Sequence, residues 1–170
     1  MEEIRERLAR VDIEAIKARL KQSVIKKLNN INVPGIGKAT KDEVRSFRPV
    51  FTLPFDIKDE KGRIIYPKGY TFNPLQLFTF PYIFVFIDGS SQKEIEWFLN
   101  NSTLSDRWDI ILLITKGSIF DSWAKLGRYV FAADKRIVDW LQVKRTPSIV
   151  YQKDDYFVVV EFGIHKKNVR

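Results

Sequence analysis

Cysteine is absent from the 170-residue chain, and histidine and methionine occur once each. With no sulfur nucleophile there is no dithiol redox chemistry, no disulfide and no thiolate metal site, because each needs the thiol itself. A lone histidine, His165, has no second imidazole for a zinc site and no serine or cysteine partner in sequence pattern, so it reads as part of a solvated basic tail over 165–170. No apolar run reaches the roughly 18 to 20 residues needed to span a bilayer, and MEEIRERLAR lacks the charged-then-apolar order of a secretory leader. Glycine-rich phosphate loops and ribonucleoprotein-type aromatic motifs are also missing.

What is present is a core-forming composition, 45% hydrophobic and 14% aromatic, with a net charge of +8. Residues 1–50 hold 12 Lys and Arg against 7 Asp and Glu, a net +5 that leaves +3 for the other 120 residues. These charges alternate with acids such as Glu2, Glu3, Glu6, Asp12 and Glu14, the pattern of a solvated helix face. Direct nucleic-acid binding therefore rests on charge alone, and a salt-dependent DNA-binding assay decides it.

Apolar residues recur at helical spacing through Ile4, Leu8, Val11, Ile13, Ile16, Leu20, Val24 and Leu28. The spacing predicts an amphipathic helical arm over 1–32 whose stripe drifts near Asp12, so Ile4, Leu8, Val11, Ile16 and Leu20 are candidates for binding a partner. Asn29 through Gly37 stop the helix. A linker and β-hairpin region follows over 33–79, with strands expected at 51–57 and 63–66 around the turn Lys58 to Gly62. Asp56, Asp59 and Glu60 do not have the spacing of a calcium loop, and Lys58 and Lys61 oppose a cation there.

The pattern then alternates. Strands are expected at 82–87, 109–115 and 129–131, and helices at 91–99, 118–126 and 135–141, with Ser118 as a helix cap. Two further strands, 148–152 and 156–162, are joined by Lys153, Asp154 and Asp155. Ser91 and Glu94 have the spacing of a capping box. Trp97, Trp108, Trp123 and Trp140 lie on or beside helices, where core packing is expected and exposure would point to an interface.

This order, with Thr146-Pro147 leading into an apolar strand, resembles a thioredoxin-like domain over 80–164 that lacks its last helix. The resemblance implies a cis bond at Thr146-Pro147. It also places Ser90 and Ser91 where a redox pair stands in that superfamily, facing Pro147. Ser90, Ser91, Thr146 and Pro147 are then a candidate surface for non-covalent partner docking. A redox or disulfide-handling relative that lost its cysteines and binds peptides is the alternative reading.

VPGIG (33–37), DIKDEKGRIIYPKG (56–69), NPLQ (73–76), FIDG (86–89), ILLITKGS (111–118), the stretch 129–134 and VEF (160–162) occur in order along nearly the whole chain. Together they resemble the TraW family of F-type conjugative type IV secretion. That resemblance implies a non-enzymatic periplasmic protein of pilus assembly, made with a leader upstream of Glu2 and acting beside a TrbC-like protein. It implies no established catalytic residue, and no cofactor or metal is expected. The expected fold class is α/β: a cysteine-free thioredoxin-like C-terminal domain after a helical arm and a small β-hairpin region.

Overall fold

The computed structural model describes residues 13–165. Its centre is a mixed sheet of seven strands, β1 (Ile31–Asn32), β3 (Glu43–Phe47), β8 (Ile83–Asp88), β9 (Ile110–Gly117), β10 (Phe131–Ala132), β12 (Ser148–Lys153) and β13 (Tyr156–Glu161). The order is β1-β9-β8-β12-β13-β3, with β10 also on β9. Strands β8 and β9 run parallel, β12 is antiparallel to β8, and β13 is antiparallel to both β12 and β3.

The continuous apolar run in β8 has a structural reason. Phe84 and Phe86 enter one core cluster with Val150, Phe157 and Val159, while Val85 and Ile87 enter a second with Ile95, Phe98, Leu112 and Ile114. A strand buried on both faces must be apolar at every position. Helices α2 (Gln92–Leu99), α3 (Ser102–Ser105) and α4 (Ile119–Leu126) supply Phe98, Leu104 and Leu126 to the second cluster. Helix α5 (Lys135–Trp140) brings Val138 to the first.

The amino-terminal helix is α1 (Ile13–Leu28); Ile4, Leu8 and Val11 lie outside the described residues. Within α1 the stripe stays uncovered, with Ile16, Leu20 and Val24 all exposed.

The stretch 33–79 contributes more than a linker and hairpin, because β3 within it pairs residue for residue with β13. The single strand expected over 51–57 is broken around Pro54 into β4 (Phe51–Thr52) and β5 (Ile57–Lys58), since proline cannot donate to a ladder. Strand β4 pairs with β7 (Thr71–Phe72), and β5 pairs with β6 (Ile64–Tyr66). The acids here hold turns. Asp59 Oδ1 accepts from the N–H groups of Lys61 and Arg63, and Asp56 accepts from Lys68 N–H.

Candidate partner-docking surfaces

The Thr146–Pro147 peptide bond is cis, as the resemblance implied, and the candidate docking residues around it are unequally exposed. Thr146 and Pro147 are both buried, Ser91 is half-buried and Ser90 is exposed. The main chain before the proline is already paired: β11 (Arg145–Thr146) runs parallel to β2 (Gly37–Lys38). Gly37 N–H donates to Lys144 O at 2.9 Å, and Ala39 N–H to Thr146 O at 2.8 Å. The Lys144 and Thr146 carbonyls, which a partner strand would otherwise use, are therefore bonded within the chain.

The side chain that meets Thr146 is Glu94 rather than Ser90 or Ser91. Thr146 Oγ1 donates to Glu94 Oε1 at 3.2 Å, Asp88 N–H donates to Glu94 Oε2 at 2.6 Å, and His165 Nε2 lies 2.8 Å from Oε1. Ser91 occupies the N-cap position of α2 without a side-chain cap bond. Its own N–H already donates to Asp88 O, so Glu94 has no cap donor to reach for and turns inward. The capping box is not made. Burial pushes the Glu94 carboxyl above the ordinary glutamate range, against the pull of the Asp88 N–H, His165 and Thr146.

His165 is accordingly no part of a solvated tail. Its side chain is largely buried, and its N–H donates to Ala39 O at 3.1 Å. Residues 163–165 and 37–39 thus close over the cis-proline loop together. Glu94 and His165 are 71 positions apart, and no local pattern announces the pair. A second charged group sits nearby, where buried Glu161 accepts from Arg45 and Arg145, both at 2.8 Å. Among the described residues no cluster of His, Asp and Glu is arranged to hold a metal ion.

The tryptophans divide. Trp97 packs on Phe162 with ring centroids 4.9 Å apart, and Trp140 meets Phe157 edge-on at 5.4 Å. Trp140 is nevertheless exposed, which corrects the expectation of core packing for it, as exposure does for Trp108 and Trp123. Trp108 and Trp123 line an open groove of about 570 Å³ with Ile110, Arg128, Tyr129 and Phe131.

The chain is 32% identical over 132 residues to Protein TraW of Escherichia coli (strain K12), a match covering 76% of this chain. The chain belongs to the TraW family. It spans 62% of the length of that relative. No family model and no solved structure matches it. The stretches that carried the TraW resemblance in the sequence include turns, strand ends and a central strand: NPLQ is a 3-10 turn whose Asn73 side chain accepts from Leu75 N–H, FIDG closes β8, and ILLITKGS covers most of β9.

The glycine of FIDG has a steric cause. A Cβ on Gly89 would lie 2.4 Å from Ser122 Oγ and 2.9 Å from Lys116 O. No helix among the described residues is long and apolar enough to cross a membrane.

Proposed function

We propose that this TraW-family chain is a non-enzymatic assembly protein of F-type conjugative transfer, acting in the periplasm on pilus biogenesis through protein partners. The identity to Protein TraW carries this reading. Its scaffold is a thioredoxin-like domain without cysteine. In support, β9-β8-β12-β13 stand in the strand order and directions of that fold, and a cis proline precedes β12. Lacking sulfur, the domain has no group to form a mixed disulfide.

The partner is a TrbC-like protein. The exposed Ile16 and Leu20 of α1 favour the amino-terminal arm as its binding element. Any docking at Ser90 and Ser91 uses their side chains, because the Thr146 carbonyl is occupied by Ala39.

The test is complementation of a donor whose own TraW gene is deleted, with this chain exported behind a leader. Restored pilus formation and transfer are expected, together with capture of a TrbC-like protein. Export in folded form without recovery of transfer overturns the reading.

A further inference from the structure

The side of β9 away from β8 is covered only in part. Strand β1 pairs there at Lys116 and Gly117, and β10 at Leu113 and Ile114. Strand β10 is two residues long and has no sheet neighbour beyond it among the described residues. Alternation along this edge is sharp: Val130 is 7% exposed, whereas Tyr129 before it is 82% exposed and Phe131 after it is also exposed. Trp108, 85% exposed, and Trp123 complete an aromatic surface over the groove. Aromatic side chains are enriched where proteins meet, because they bury a large area at low entropic cost, and a patch of this kind is uncommon on a free surface.

One cation stands in the groove wall. Arg128 donates to the carbonyls of Ser105, Arg107 and Ile110, and its guanidinium lies 5.5 Å from the Phe98 ring centre. No carboxylate among the described residues forms an ion pair with it, while neighbouring Arg107 is paired with Asp109. Two copies of this chain meeting edge to edge here would bring Arg128 toward Arg128 in a protein already at +8.

We propose that the free edge of β10 and the groove formed by Trp108, Trp123, Arg128, Tyr129 and Phe131 bind an extended segment of another protein. That segment carries apolar side chains at alternate positions and an acidic residue. Main-chain pairing to β10 supplies the affinity, the aromatic surface takes the apolar side chains, and Arg128 selects the acid. The inference rests on the assembly-protein reading for the existence of such a partner, and it places the contact away from the amino-terminal arm.

The probe is a short end-blocked peptide, labelled with fluorescein, in which valine alternates with glutamate and threonine. Its control has lysine in place of glutamate. Anisotropy titration of the full chain should show saturable binding of the acidic peptide at millimolar concentration or below, at least about tenfold tighter than the lysine peptide. Trp108→Ala and Tyr129→Ala alter exposed side chains, and with unchanged circular dichroism each should weaken binding about tenfold. Absence of saturation, equal affinity for both peptides, or full affinity in both variants would overturn the proposal. A concentration-dependent dimer that Tyr129→Ala dissociates would also overturn it, giving the edge to a second copy. Because these measurements use purified protein, they succeed or fail independently of the donor-cell complementation.

Discussion

Glu94 has its carboxylate wholly inside the protein, and the sign of its pH effect follows from that burial. An acid whose folded value is raised contributes stability fully below its unfolded value and loses it as pH rises through the folded one. Glu94→Gln removes the ionisation and can keep an oxygen for the Asp88 N–H. Its thermal midpoint should therefore gain on the parent protein as pH goes from the ordinary glutamate value of 4.5 toward neutrality. A difference between the two that stays constant with pH would sink this account. Gly163 is the second informative position, since a Cβ there would lie 2.5 Å from the Cα of Lys41. Gly163→Ala should cost about 1–3 kcal/mol by forcing residues 163–165 off the 39–42 segment. Denaturant unfolding measures it, and a loss below about 0.5 kcal/mol would mean the contact yields easily.

Helix α4 shows how one element is set by its ends. Ser118 Oγ accepts from Asp121 N–H and donates to Asn29 Oδ1, and Gly127 closes the helix in the left-handed conformation at φ 64°. Ser118→Ala should cost about 1 kcal/mol through the lost cap, read as a lower denaturation midpoint with unchanged slope. The side of β3 that has no strand neighbour among the described residues belongs to this scale as well. Its Arg45 reaches back to buried Glu161 and to Gln142 O, so the edge strand carries a charge turned toward the protein interior. Such a charge discourages further strand pairing. Glu161→Gln should destabilise by roughly 1–3 kcal/mol, because two arginines then share a neutral acceptor in a partly buried place.

At the scale of the molecule, the sheet and its two clusters are built without the apolar face of α1. Leu20 of that helix is 60% exposed. Deleting residues 2–28 should leave the sheet folded, with a circular dichroism loss limited to helix and a thermal midpoint changed by only a few degrees. Cooperative loss of strand signal in that variant would make the arm part of the core. The whole chain should reduce insulin no faster than the uncatalysed rate, since no residue can enter thiol–disulfide exchange. Turnover by the pure protein would disprove that.

Local chemistry was enough for the alternation of strands and helices after residue 82, for the Ser118 cap and for the absence of thiol chemistry, because periodicity, caps and composition act over a few neighbouring residues. The exposed stripe of α1 was legible for the same reason. The pairing of β3 with β13 was not, since a five-residue strand of mixed polarity has no distinctive pattern until its partner is beside it. Tertiary structure alone closed the cis-proline loop with Ala39, drew Glu94 inward from a cap position and joined it to His165. It also left Trp108 and Trp123 exposed. Each of these outcomes depends on which distant segment occupies a given space, and occupancy follows from the packing of the whole sheet rather than from the residues on either side.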